Sequence, residues 1–289
     1  MTAKQRNQLL AKMTDDVAAL VLRNNYQQTQ TISIEQSRAP ELLESHARLI
    51  RGLERRGRLD RAVEFLPSDE ALAERDQAHQ GLTRPEIAVL LSYAKSAVYQ
   101  ALHDDPVLDE SYFKGDLERY FPERLRERCA SAIPQHRLRR EIIGTVVVNS
   151  LVNRGGPHFL VEVVEETSES AGDVIRAYVT ARQVYGMREL WDSIEALDAK
   201  IPAKLQIGLL TEVHHLLEHG TLWFLRTRQP GFEIMGTVDG FAPGVRELAA
   251  NIERLLAPED AAALQQRVGA LGAAGVPAAL AQRMASSAR

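Results

Sequence analysis

The sequence predicts an all-α protein, a bundle-like array of many helices without an internal repeat. Three observations carry this. Ala, Leu, Glu and Arg are plentiful while aromatic residues make up 6% of the chain, a balance that favours helix. Apolar residues recur at the helical period in segment after segment, several opened by a capping residue or a proline. Stretches apolar enough to be strands have no convincing partner nearby, and an orphan strand leaves its ladder groups unpaired.

Taken in order, Met13, Val17, Leu20 and Val21 share one face of a first helix. Asn24 and Asn25 read as its end, because Asn tolerates the left-handed conformation of a C-cap, and Gln27 to Gln30 read as a polar exit segment. After Pro40, a good first-turn residue, one stripe runs through Leu42, Leu43, His46, Leu49, Ile50 and Leu53 to a stop at Gly57. Thr83 and Glu86 form a capping box ahead of Ile87, Leu90, Leu91, Ala94, Val98 and Leu102. Pro122 opens another helix and Pro134 closes it. Ile142 to Val148 is apolar on nearly all sides, and Phe159 to Val164 alternates like a strand. Period alone does not separate a buried strand from a buried helix. Both read as helical, the first as a central helix surrounded by neighbours. Between them, Asn153 to Pro157 reads as a Gly-Gly helix stop, with Pro157 opening the next helix, in preference to an anion nest.

Ser170 and Asp173 form a second capping box, leading into Ile175, Tyr178, Val179 and Tyr185. Met187, Leu190, Trp191, Ile194 and Leu197 trace the next stripe, and Pro202 opens the longest helix, with Leu205, Leu209, Val213, Leu216 and Leu217. Gln229 to Gly244 holds four glycines and two prolines and reads as a long loop. Two further helical patterns follow, Val245 to Leu256 and Ala261 to Leu271. Gly269 to Gly275 has the wrong spacing for a dinucleotide loop, which needs G-x-G-x-x-G between a strand and a helix. It reads as a cap and linker.

Composition excludes several classes. The formal net charge of −4, from 35 basic and 39 acidic residues, gives no overall pull toward nucleic acid or an anionic membrane. Arg124, Arg126, Arg128, Arg137, Arg139 and Arg140 are interleaved with Glu118, Glu123, Glu127 and Glu141, the mark of a solvated, ion-paired face. No aromatic residues punctuate it as stacking partners for a nucleic-acid strand. Cys129 is the sole cysteine, so no internal disulfide forms, and its place four residues after Leu125 suggests a buried thiol. No apolar run approaches the ~20 residues of a membrane span, and no signal-peptide core opens the chain. The expectation is a reduced, cytoplasmic protein with no nucleic-acid or membrane partner.

His215-Leu216-Leu217-Glu218-His219 matches the H-x-x-E-H pattern of inverted zinc peptidases, whose histidines one turn apart share a metal. Without an acidic third ligand downstream in a helical setting, these groups read as the solvated face of a Leu-rich helix. No nucleophile–base pair or paired-carboxylate site stands out. From its residues the chain receives no catalytic, cofactor-binding or metal-ligating assignment.

Several segments, in order and spacing, resemble one family. They are Met13 to Gln30, Ser33 to Gly52, Leu82-Thr83-Arg84-Pro85-Glu86-Ile87-Ala88-Val89-Leu90-Leu91, Tyr120-Phe121-Pro122, and Val148-Asn149-Ser150-Leu151-Val152-Asn153-Arg154-Gly155-Gly156. The chain is similar to the C-terminal helical region of the large bacterial NAD-specific glutamate dehydrogenases. The resemblance implies a parent enzyme that oxidises glutamate to 2-oxoglutarate and ammonia with NAD. The family's glycine-rich segment with its catalytic lysine, and its nucleotide fold, are not found here. The chain alone is therefore expected to be inactive and to hold no cofactor, NAD belonging to the parent. The implied partners are the catalytic domain of the same polypeptide and further copies in a homo-oligomer. The implied organisation is a junction helix and exit segment over 1–30, a main helical domain over 31–228, and a loop with C-terminal helices over 229–289, the family's helical region continuing past Arg289. Arg23, Asn24, Asn25, Tyr26 and Gln27 would form the domain junction, Tyr and Arg being favoured interface anchors. Two other readings stay open: a free-standing helical adaptor, and a small zinc hydrolase built on His215, Glu218 and His219.

Overall fold

The computed structural model describes residues 2–227 and 229–287. It is 78% helical, and no strand occurs among the described residues. The chain divides into two compact units, Met1–Glu162 and Val163–Arg289.

The first unit opens with α1 (Ala3–Ser37), followed by α2 (Leu43–Arg55), α3 (Asp69–Gln77), α4 (Arg84–Leu102), α5 (Lys114–Tyr120), α6 (Glu123–Cys129) and α7 (Arg139–Gly155). The expected stripe of α4 is its buried face, residue for residue, and that of α2 is buried throughout, with Leu42 just ahead of the helix and Ala47 added to the face. Glu86 accepts from the backbone N–H of Thr83 at 2.7 Å and receives both terminal nitrogens of Arg75, so the cap of α4 also holds α3. The apolar run Ile142 to Val148 lies in α7, which packs against α1, α4 and α5. It is not enclosed all round: Thr145 is exposed, and Ile142 and Val146 are half-buried.

Helix α8 (Phe159–Thr167) straddles the division between the units. In the second unit follow α9 (Ala171–Val184), α10 (Met187–Glu195), α11 (Ala203–Thr227), α12 (Ile234–Leu255), α13 (Pro258–Ala273) and α14 (Ala278–Ser287). Helix α9 forms the centre, against α10, α11 and α12, with Ile175, Ala177, Tyr178 and Ala181 fully enclosed. Ser170 caps it by accepting from the N–H of Asp173 at 3.1 Å.

Three expectations are corrected. The first helix does not end at Asn24 and Asn25 but runs 35 residues to Ser37. Asn permits a left-handed stop without requiring one, and no glycine or proline interrupts the segment. The Thr29 and Thr31 hydroxyls bond back to the carbonyls of Asn25 and Gln27. The helix is then held from outside: Thr31 Oγ1 also donates to the Asn153 carbonyl at 2.7 Å, and Arg154 Nη1 donates to Gln30 Oε1 at 2.9 Å. The expected loop over Gln229 to Gly244 ends at Glu233, where α12 begins. The Glu233 carboxylate accepts from the N–H groups of Met235 and Gly236. Ile234, Thr237, Val238 and Ala242 are buried, and Phe241 meets Trp223 and Phe224 edge to face. Packing of one face against α9 thus outweighs three glycines and Pro243 in a helix that propensity alone disfavours. Finally, Cys129 is half-buried rather than enclosed, because it ends a short helix with no buried residue.

Candidate functional site

The most unusual chemistry in the first unit lies where the last turn of α1 meets α2 and the start of α8. Glu35, His46 and His158 are each buried, with 1%, 0% and 3% of their surface exposed. His46 Nε2 is 2.8 Å from Glu35 Oε2, and His158 Nδ1 is 3.5 Å from the same oxygen. The imidazoles stand edge to face, with centroids 5.6 Å apart. On its far side, His158 Nε2 lies 3.5 Å from Glu162 Oε2. Glu162 is itself held by the Ser45 hydroxyl and by Arg48 Nη2, the latter at 2.8 Å.

Local structure delivers each group. Glu35 occupies the inward face of α1, in line with Thr31 one turn earlier. His46 belongs to the buried stripe of α2. His158 follows the Gly155-Gly156 stop of α7, where Gly156 takes φ +86° and ψ 167°, a region open essentially to glycine alone. A Cβ on Gly156 would sit 2.5 Å from Glu35 Oε1 and 3.0 Å from His158 Cε1. A carboxylate lies over the Gly-Gly stop.

Burial pushes the Glu35 carboxyl up, but the facing His158 imidazole and the hydrogen bond of His46 outweigh it and hold the carboxylate well below its usual range. Burial pushes His158 down, and this is outweighed by Glu35 and then Glu162, with Arg38 opposing, so its pKa is raised. The centre thus sets a buried carboxylate against two buried imidazoles. Nδ1 of His46 and Nδ1 of His158 are buried without a hydrogen-bond partner. Among the described residues, Glu35, His46 and His158 are the one group of His, Cys, Asp and Glu whose donor atoms converge as metal ligands do, all within 4.8 Å of one another.

Sequence reading missed this centre. His46 was readable only as part of an apolar stripe, Glu35 as one polar residue in a polar stretch, and His158 as the start of a helix. The faint signal was a histidine on an otherwise apolar face, which needs a buried partner.

The proposed junction residues lie elsewhere, in the middle of α1. A helix does not present all five together: at 3.6 residues per turn Arg23, Tyr26 and Gln27 share a face while Asn24 and Asn25 turn away. Arg23 and Asn25 are exposed, and the other three are half-buried. Farther along, His215 and Glu218 are half-buried and His219 is exposed on α11, and the three do not converge as ligands.

The described residues form no glycine-rich cradle of the kind that holds NAD. A pyrophosphate cradle needs a glycine-rich turn between a strand and a helix N-terminus. Gly269 and Gly272 lie inside α13, and no strand occurs among the described residues. No hydride-transfer step is derived through this chain.

Residues 79–289 match the family described as glutamate dehydrogenase, C-terminal. Residues 1–35 match the bacterial NAD-glutamate dehydrogenase catalytic domain. The chain is 44% identical over 287 residues to the NAD-specific glutamate dehydrogenase of Pseudomonas aeruginosa, covering 99% of this chain and 18% of that protein. It is 42% identical over 287 residues to the Halomonas elongata protein of the same name, again 99% and 18%, and 32% identical over 284 residues to that of Mycobacterium tuberculosis, 98% and 17%. The chain therefore spans less than a fifth of the length of these relatives. An all-α chain matched over most of its length to that C-terminal region belongs to the bacterial NAD-specific glutamate dehydrogenase family.

Proposed function

We propose that this chain is the non-catalytic helical region of an NAD-dependent glutamate dehydrogenase, supporting the catalytic domain and the assembly of the enzyme. The parent reaction is oxidation of glutamate to 2-oxoglutarate and ammonia, with NAD bound by the catalytic domain. A homo-oligomer and a cytoplasmic setting belong to the same reading.

One observation carries it. Helix α1, all but its last two residues inside the segment matched to the catalytic domain, residues 1–35, packs its inner end against α4 and α7 of the first unit. Its inner end is anchored by Thr31 and Glu35. Its outer part leaves Leu10, Val17, Leu20, Val21 and Leu22 between 41% and 67% exposed. Such an apolar stripe on a long helix needs cover, and the catalytic domain to which these residues match is the occupant of this reading. Arg23, Asn24, Asn25, Tyr26 and Gln27 then form the domain junction, with Arg23 and Tyr26 on its anchoring face. A continuous helix transmits position better than a tether, so the docked domain is held in register with the helical region.

The test uses the full-length enzyme. Replacing Arg23 and Tyr26 together by Ala should weaken domain coupling by about 1–3 kcal/mol, seen as earlier inactivation on heating. A double variant equal to the parent in rate, assembly and heat resistance would remove the docking role. The chain by itself should neither reduce NAD with glutamate nor bind it at micromolar concentration, and saturable binding by calorimetry would reverse that.

A further inference from the structure

We propose that Glu35, His46 and His158 form a site for one divalent transition-metal ion of the zinc class, pinning the end of α1 to α2 and α8. Nothing in the glutamate dehydrogenase reaction calls for it, and it is independent of the docking role of α1.

The donor set is two imidazoles and one carboxylate, which suits zinc and its neighbours. The donor atoms are Glu35 Oε2, His46 Nε2 and His158 Nδ1, and they converge from α1, from α2 and from the bend just before α8. Tetrahedral bonds of about 2.0–2.1 Å place neighbouring ligand atoms about 3.3 Å apart. Glu35 Oε2 to His158 Nδ1 is already 3.5 Å. Glu35 Oε2 to His46 Nε2 is a hydrogen bond of 2.8 Å, and it would open by about half an ångström on ligation. Gly156 keeps the space beside Glu35 Oε1 clear of side chain.

A second, independent observation points to a ligand. His158 Nδ1 is buried and faces the centre, where its nearest polar atom, Glu35 Oε2, stands 3.5 Å off without making a hydrogen bond. Its other nitrogen faces Glu162, which Ser45 and Arg48 hold in place. A ligating histidine characteristically donates its remaining N–H to a carboxylate, which sets the tautomer and turns the free lone pair toward the metal. Glu162 stands in that position. A merely structural Glu–His pair has no need of a second carboxylate behind the imidazole. Arg38 is the cation that opposes an ion here; its Nε lies 3.5 Å from Glu41 Oε2, while its Nη1 is buried without a hydrogen-bond partner.

The experiment is a titration of the purified, chelator-stripped chain with cobalt(II) chloride, followed by visible absorption and repeated in competition with zinc chloride. The expected result is a one-to-one endpoint with the intense ligand-field bands of four-coordinate cobalt, abolished by excess zinc. His158→Gln should abolish the bands. Glu162→Gln, which leaves all three ligands in place at a partly exposed position, should weaken cobalt binding about 10- to 100-fold. Absence of such bands at stoichiometric cobalt in the wild-type chain overturns the proposal. So does binding that Glu162→Gln leaves unchanged, a readout that holds even where His158→Gln does not fold. Ultraviolet circular dichroism of each variant separates loss of the site from loss of the fold.

Discussion

Alanine at Gly156 should destabilise the first unit far more than alanine at another left-handed glycine, and the difference measures how tightly the buried carboxylate is packed. Gly156 has φ +86° and ψ 167°, where any L-residue costs about 1–3 kcal/mol. The added methyl would also meet Glu35 Oε1 at 2.5 Å and His158 Cε1 at 3.0 Å. Neither neighbour is the free end of an exposed chain: both are buried and held, so relief needs a backbone or rotamer shift, about 1–3 kcal/mol more. The sum is about 2–6 kcal/mol. Gly57 supplies the control. It has φ +63° and nothing within 4 Å of its added Cβ, so Gly57→Ala should cost only the conformational part, about 1–2 kcal/mol. Urea denaturation of the two variants beside the wild-type chain, with unchanged m-values as the check on two-state behaviour, gives both numbers. Equal losses for the two variants would refute the packing of Glu35 over Gly156 and with it the geometry of the whole centre.

Other outcomes follow from the same contacts. Asp173 accepts from Ser170 Oγ at 2.6 Å, Gly231 N–H at 2.8 Å and Arg176 Nη1 at 2.9 Å; burial pushes its carboxyl up, but these partners outweigh burial and hold it below its ordinary value. A depressed folded-state pKa contributes stability that is complete above the unfolded value and is lost as pH falls through the folded value. Asp173→Asn should therefore cost about 2 kcal/mol at neutral pH, with the gap to wild type closing in acid; a gap independent of pH would contradict the assignment. Thr31→Val should lose about 1 kcal/mol by removing the hydroxyl that donates to the Asn153 carbonyl, and an unchanged denaturation midpoint would show that this tie holds nothing. In the full-length enzyme, Leu20→Asp with Val21→Asp should separate the catalytic domain from the helical region more strongly than the Arg23 and Tyr26 replacements, measured by limited proteolysis within α1. Protection equal to wild type would mean the exposed stripe is not the docking face.

The sequence by itself determined the helices whose signals are local. The stripes of α2, α4 and α10 were legible because an amphipathic period states which face is buried, whatever buries it. The Thr83–Glu86 box and the Gly155-Gly156 stop were legible because caps satisfy backbone groups within a few residues. The resemblance to the dehydrogenase family was likewise carried by residues in order and spacing. Tertiary structure decided everything that depends on a distant partner. Asn24 and Asn25 permit either a stop or a continuation, and the ties of Thr31 and Gln30 to α7 chose continuation. Gly236, Gly240, Pro243 and Gly244 argue for a loop until α9 offers a surface that buries the face between them. The Glu35–His46–His158 centre is the extreme case. Its members lie in segments with no shared periodicity, and a buried charge becomes tolerable only when the fold delivers its counter-charges to within hydrogen-bonding distance. Local propensity encodes where the chain bends and which side is oily; only three-dimensional proximity sets which polar groups are taken out of water together.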